Sequence, residues 1–231
     1  MIVFDKVTKK YMTKYALRDV SLTLSKGKII GLVGENGSGK STTLKLIAGL
    51  AKPTNGNVFV NGEFANRRIA KYVSYLSELD EYYSFYNVGE TIDFYATQFT
   101  DFNKEKAEEI RSFMKLDRNA KLKHLSKGNR GRLKIVLTLA REAQVILLDE
   151  PLSGLDPMVR DSIVKGLISY IDLDNQIVLI TTHEINEIET ILDEVIAIKD
   201  GEIIGHHNVE TLRDEENVGI VEWLTNIYEN K

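Results

Sequence analysis

An apolar run that breaks into a glycine-rich loop constrains this chain more than any other feature. Residues 28–33 read KIIGLV, and residues 34–42 continue directly as GENGSGKST. The first string is short, apolar and ends against glycine, as a buried strand does. The second satisfies G-x-x-x-x-G-K-[ST] at Gly34, Gly39, Lys40 and Ser41. Beyond it, Leu44, Leu46, Ile47 and Leu50 have helical spacing, with Gly49 and Pro53 punctuating the end. Strand, loop and helix in that order make a phosphate cradle. Glycines let successive backbone N–H groups converge on an anion, and Gly37 keeps a further position free of a side chain. The helix start adds its amides and the positive end of its dipole. Lys40 is expected to neutralise charge on the β and γ phosphates, and the Ser41 hydroxyl to ligate Mg²⁺ as a hard oxygen donor. Asn36, Ser38 and Thr42 fall in the same cradle, Thr42 with a further hydroxyl for the phosphates. The chain is expected to bind a nucleoside triphosphate.

Composition removes several other classes. The 231 residues are 43% hydrophobic and 28% charged, which suits a globular α/β chain with a sizeable core and argues against disorder. Cysteine is absent, so a disulfide scaffold, a zinc ribbon, an iron–sulfur site and a thiol nucleophile are excluded together. The apolar stretches Val145–Leu148 and Ile177–Ile180 fall far short of the roughly 18 residues that cross a bilayer. The opening MIVFDKVTKK is interrupted by polar residues, unlike a signal segment. A net charge of −4, from 30 basic and 34 acidic residues, gives no basic footprint, and no nucleic-acid partner is expected.

Along the chain, strand patterns precede the loop, with alternation at Val20–Leu24. Helical spacing follows from about Gly89 to Leu125: Ile92, Phe94, Tyr95 and Phe99 suit one helix, and Ala107, Ile110, Phe113 and Met114 another. Three short apolar runs, Val145–Leu148, Ile177–Ile180 and Val195–Ile198, then alternate with helical stretches, which predicts a mostly parallel sheet covered on both faces. Lys199-Asp200-Gly201-Glu202 reads as a hairpin turn into an antiparallel ribbon. Val218–Tyr228 reads as an amphipathic helix carrying the only tryptophan, Trp223, whose apolar stripe is expected to pack on the body.

The run VILLDEP at 145–151 sets two carboxylates at the end of an apolar strand. Beside a phosphate loop, Asp149 is placed to hold Mg²⁺ through its water shell, the partner role to Ser41. Glu150 is placed to accept a proton from an attacking water.

These residues, with three further strings, resemble the nucleotide-binding subunits of ABC transporters over nearly the whole chain. LSKGN at Leu125–Asn129 resembles that family's signature, the stretch Pro151–Asp156 its D-loop, and ITTHE at Ile180–Glu184 its switch segment. The resemblance implies an α/β P-loop NTPase fold: one ABC ATPase domain over 1–231 with a RecA-like, mostly parallel sheet core, an antiparallel β subdomain and an inserted helical subdomain. The core and β subdomain would span about 1–86 and 142–231, and the helical subdomain about 87–141. It implies roles for further residues: Tyr11 stacking on adenine, His183 sensing the γ-phosphate, Ser126 and Gly128 completing the ATP site of a second subunit, and Asp156 at the interface between the two. It implies MgATP hydrolysis, a second ATPase subunit of the same or a different kind, an integral-membrane permease, and a place on the cytoplasmic side of the membrane.

Three positions depart from the family pattern. Glu78, in VSYLSE at 73–78, stands where glutamine is usual; a carboxylate there still ligates Mg²⁺ or orients water but adds negative charge. Lys127 replaces a signature glycine, either placing positive charge near the opposite phosphate or pointing outward, and Asn129 replaces the glutamine while keeping an amide. Glu78, with a chain that ends near 231 without an added regulatory domain, tilts the expectation to an exporter, similar to those of bacterial peptide or antibiotic-resistance systems. A non-transport ABC ATPase and, more weakly, a P-loop small-molecule kinase are the rival readings. Tyr82, Tyr83, Phe85 and Tyr86 admit two roles, core packing or a groove for a short helix of the permease, which the resemblance would dock near Glu78–Tyr86. His124, His206 and His207 lack ligand spacing, and the acidic run 214–216 reads as a solvated face.

Overall fold

The computed structural model describes residues 1–78, 82–214 and 218–229. The chain opens with antiparallel strands β1 (Ile2–Tyr11) and β2 (Lys14–Leu24), then β3 (Lys28–Val33) and helix α1 (Lys40–Ile47). Strands β4 (Asn55–Val60), β5 (Glu63–Phe64) and β6 (Val73–Leu76) follow, and then helices α2 (Val88–Gln98), α3 (Lys104–Phe113) and α4 (Lys127–Leu139). The remainder alternates as β7 (Val145–Asp149), α5 (Pro157–Tyr170), β8 (Ile177–Thr182), β9 (Glu194–Lys199) and β10 (Glu202–Asn208), ending in α6 (Val209–Asp214) and α7 (Ile220–Glu229).

Two sheets result. A four-stranded antiparallel sheet has the order β2-β1-β4-β5, and a six-stranded sheet the order β10-β9-β3-β8-β7-β6. Within the larger sheet, the pairs β9–β3, β3–β8, β8–β7 and β7–β6 are parallel, and β10 pairs antiparallel with β9. Its inner strands β3, β7, β8 and β9 read as largely apolar runs because both faces are buried there. Val145, Leu147, Ile177, Leu179, Ile196 and Ile198 point into one core, shared with α1 and the antiparallel sheet. Ile146, Leu148, Val178, Ile180, Val195 and Ala197 point into the other, against the helices. The period of two along each strand thus divides one sheet between two cores.

The predicted hairpin is present: Lys199 pairs with Glu202 across Asp200 (φ 50°) and Gly201 (φ 83°), the left-handed pair that a two-residue turn requires. Helix α2 begins with a reciprocal cap, in which Asn87 Oδ1 accepts from the Glu90 N–H at 2.7 Å and Glu90 Oε2 from the Asn87 N–H at 2.6 Å.

One expected helix position is corrected. Phe99 lies past α2 in extended backbone, its ring against the Arg141 guanidinium at 4.1 Å, because Arg141 is buried there by its ion pair with Asp101 at 2.8 Å. Phe113 is the last residue of α3, as its spacing predicts, with Met114 as the C-cap; its ring is 40% exposed and meets Tyr170 edge to face at 5.6 Å. Trp223 and Ile227 of α7 pack over Gly205 on β10, where a Cβ would come within 2.7 and 2.4 Å of them. His206 pairs with Glu194 at 2.9 Å, and His207 stacks edge-on with Trp223. Residues 215 and 216 of the acidic run lie outside the described residues.

Candidate nucleotide site

The loop between β3 and α1 is closed by backbone that only glycine accepts. Gly37 has φ 84° and Gly39 φ 118°, and a Cβ on Gly39 would sit 2.5 Å from the Ala16 carbonyl oxygen. A Cβ on Gly34 would meet the Ile198 carbonyl oxygen at 2.3 Å. Gly39 is also the N-cap of α1 and provides no side-chain cap, so the first-turn amides lack the partner that a capping side chain supplies.

Beside this loop is a cavity of about 220 Å³ whose lining includes Asn36, Gly37, Gly39, Lys40, Ser41, Thr42, Glu78, Glu150 and His183. Lys40, 5% exposed, curls over the loop and donates to the carbonyl oxygens of Gly34 at 2.7 Å and Glu35 at 3.2 Å. Its ammonium lies 3.3 Å from Glu150 Oε1, and Glu150 Oε2 is 2.9 Å from His183 Nδ1. Glu150 has φ 48°, a left-handed conformation that costs a non-glycine residue about 1–3 kcal/mol. Its N–H donates to Thr181 Oγ1 at 3.0 Å, which helps to hold the turn that aims the carboxylate at Lys40 and His183.

Asp149, 2% exposed, accepts three hydroxyl hydrogen bonds: Ser41 and Thr181 to Oδ1 at 2.9 Å each, and Tyr75 to Oδ2 at 3.0 Å. Burial first, then the Asp149 charge and hydrogen bond, pushes the Tyr75 phenol well above its usual range. A carboxylate and a hydroxyl joined this way are hard oxygen donors of the kind Mg²⁺ accepts, so the residues present fit that ion. Ser153 also lines the cavity and, with Tyr75 and Thr181, was not singled out from sequence, although Tyr75 and Thr181 sit inside the strings VSYLSE and ITTHE.

Other expected site residues lie apart from this cluster. Tyr11 ends β1, 47% exposed, with the Lys9 ammonium 4.7 Å from its ring centre, and does not line the cavity. Ser126 is the N-cap of α4, its hydroxyl accepting from the Asn129 N–H at 3.2 Å. Gly128 packs on α5, where a Cβ would come within 2.9 Å of Val159. Asp156 caps α5 through the Val159 N–H at 3.0 Å. Lys127 reaches to Gly154, whose added Cβ would stand 2.2 Å from the ammonium. Signature and D-loop stretches therefore touch each other, and Ser126, Gly128 and Asp156 do not line the phosphate-loop cavity, although Ser153 of the D-loop stretch does.

The aromatic run divides. Tyr82 and Tyr86 pack on the core, whereas Tyr83 and Phe85 are 54% and 66% exposed. Together with Phe94, Tyr95 and Phe99, Tyr82, Tyr83 and Tyr86 line a groove of about 500 Å³. Residues 79–81, part of the expected docking stretch, lie outside the described residues.

A phosphate loop closing on paired strand-end carboxylates, at the end of a mostly parallel sheet, defines an α/β P-loop NTPase. The ABC transporter family profile matches residues 17–153, more than half of the chain, and the chain belongs to that family. It is 27% identical over 217 residues to YtrB, an ABC transporter ATP-binding protein of Bacillus subtilis, covering 93% of this chain and 74% of YtrB. It is 34% identical over 221 residues to the methionine import ATP-binding protein MetN 1 of Bacillus licheniformis, covering 88% and 66%. Among solved structures, the ATP-binding subunit of an ABC transporter superposes with a TM-score of 0.85 at 22% identity, covering all of this chain and 98% of that one. MJ0796, a bacterial ABC transporter cassette in a dimeric structure, gives 0.81 at 27% identity, covering 90% and 98%. The chain is an ATP-binding subunit of the ABC transporter type, and ATP hydrolysis coupled to transport is the activity of this class. Among the described residues no helix is long and apolar enough to cross a membrane.

Proposed function

We propose that this chain is the ATPase subunit of a membrane exporter for peptides or other amphipathic compounds, bound to its permease on the cytoplasmic face. The arrangement that carries the reading is Glu150 held between Lys40 and His183 beside a glycine loop. Lys40 and the α1 amides bind the triphosphate, Tyr11 stacks on the base, and His183 fixes the Glu150 carboxylate where it takes the proton of an attacking water. Ser41, Asp149 and Glu78 are the side chains that would hold Mg²⁺, which when bound neutralises charge on the β and γ phosphates. Ser126, Gly128 and Asp156 serve a second ATPase subunit, as their separation from the chain's own phosphate loop and the dimeric structure of the cassette MJ0796 support.

The permease docks a short helix in the groove of Tyr82, Tyr83 and Tyr86, where exposed aromatics offer anchors. In this reading residues 87–141 form the helical subdomain that carries the groove wall. Outward transport rests on Glu78 at the joint, and the phenol-soluble modulin exporters are the proposed example of the class.

One preparation tests these points. Chain carrying Glu150→Gln is extracted from native membranes with MgATP, and its mass, turnover and co-purifying proteins are measured. A dimer, hydrolysis slowed at least about tenfold and a stoichiometric polytopic membrane protein are expected. Native turnover would remove the general-base role, and a soluble partner would replace the permease. ATP-driven uptake into inverted vesicles of the complex purified with the unsubstituted chain reads the direction.

A further inference from the structure

Tyr75 stands on β6, whose pairing with β7 sets Tyr75 opposite Leu147 and Leu76 opposite Leu148, so its phenol reaches the strand end where Asp149 sits. An ionised carboxylate has about four lone-pair sites. Ser41 and Thr181 occupy the two on Oδ1, and Tyr75 occupies one of the two on Oδ2. One site remains, on the oxygen that Tyr75 orients. We propose that Tyr75 is a positioning residue for the divalent-cation site, fixing the rotation of the Asp149 carboxylate so that its remaining Oδ2 lone pair faces a water of the ion held at Ser41. This rests on the reading of Ser41 and Asp149 as the cation's holders.

The terminal torsion of an aspartate is broad and turns both oxygens together, so a hydrogen bond on Oδ2 stiffens from the second side a rotation that the two hydroxyls on Oδ1 restrain only from the first. The phenol supplies the third point. Its strand end is itself held: Lys134 draws in the carbonyl oxygens of Ser77 at 3.1 Å and Glu78 at 2.7 Å. Tyr75 also lines a cavity of about 200 Å³ with Tyr82 and Tyr95, two residues that line the aromatic groove. The phenol is therefore the group through which the groove side of the molecule meets the cation's carboxylate.

The test uses Tyr75→Phe in the full chain, which keeps the ring and removes one hydroxyl. Mn²⁺ affinity of the complex with a non-hydrolysable ATP analogue is measured by electron paramagnetic resonance, and affinity for the same analogue is measured in EDTA. Mn²⁺ binding is expected to weaken about tenfold, in line with the loss of an outer-shell partner, with the EDTA affinity unchanged. Unchanged Mn²⁺ affinity, or an equal loss with and without metal, would overturn the proposal. Asp149→Asn separates the two layers. If it loses Mn²⁺ while Tyr75→Phe does not, the positioning role falls alone. If Asp149→Asn also binds Mn²⁺ normally, the reading of the cation site falls with it.

Discussion

Helices α1 and α4 both begin in motifs tied to nucleotide chemistry, and they begin in opposite ways. Helix α1 starts at Gly39, whose φ of 118° and missing side chain leave the first-turn amides without a side-chain cap. Helix α4 starts at Ser126, whose hydroxyl accepts from the Asn129 N–H. An uncapped helix start is a binding site looking for an anion, whereas a capped one is stable by itself. The phosphate loop is thus assembled around a ligand within one chain. The signature stretch is finished as local structure, and in the proposed reading what it would offer a second subunit is surface: the Ser126 hydroxyl, the Lys127 ammonium and the close packing of Gly128 on α5.

That contrast is open to attack at both ends. The largest effect is expected at the uncapped start. Gly39→Ala puts a Cβ 2.5 Å from the Ala16 carbonyl oxygen in a conformation alanine avoids, and ATP affinity by calorimetry should fall at least about tenfold. Affinity near the native value would mean that the loop does not need its glycine geometry. At the capped start, Ser126→Ala should cost about 1 kcal/mol in urea unfolding while the isolated chain binds ATP as before. A loss of ATP affinity in the monomer would blur the distinction between the two helices.

The smallest effect lies off both termini, at Glu187. Burial, then the hydrogen bond with Glu184, pushes its carboxyl up to about 7 from an ordinary 4.5, against the pull of Arg160, with which it is paired. The folded state therefore holds this proton more tightly than the unfolded chain. Its stabilising contribution is full below about pH 4.5 and is lost as pH rises through 7. Glu187→Gln should flatten that part of the stability curve and leave nucleotide binding unchanged. A slope that persists in the variant would assign it to another group.

The phosphate loop was legible because its chemistry is local: glycines, lysine and serine act within nine consecutive residues. The strands were legible because a sheet buried on both faces leaves apolar runs with no polar interruption. The third hydroxyl on Asp149 was not, since Tyr75 is 74 residues away and arrives only through the pairing of β6 with β7. Phe99 was misplaced for a related reason. Helical spacing records which residues share a face, but a buried Arg141 ion pair decides where that ring ends up. Tyr82 and Tyr83, adjacent in sequence, take opposite fates that no local pattern separates.

Strand β6 closes the larger sheet on one side, so among the described residues β7 is the only strand paired with it. Its other attachments run sideways into the helices: Val73 O takes the Arg141 guanidinium at 2.9 Å, and the Ser74 hydroxyl reaches Thr138 O at 2.9 Å. The strand is a seam, stitched to the sheet along one margin and to the end of α4 along the other. A force that tilts the helices against the sheet would load these stitches first, and Tyr75 is sewn into the same four residues. The molecule thereby has a mechanical fastening at the point where tension from its groove side would be felt by an oxygen of Asp149.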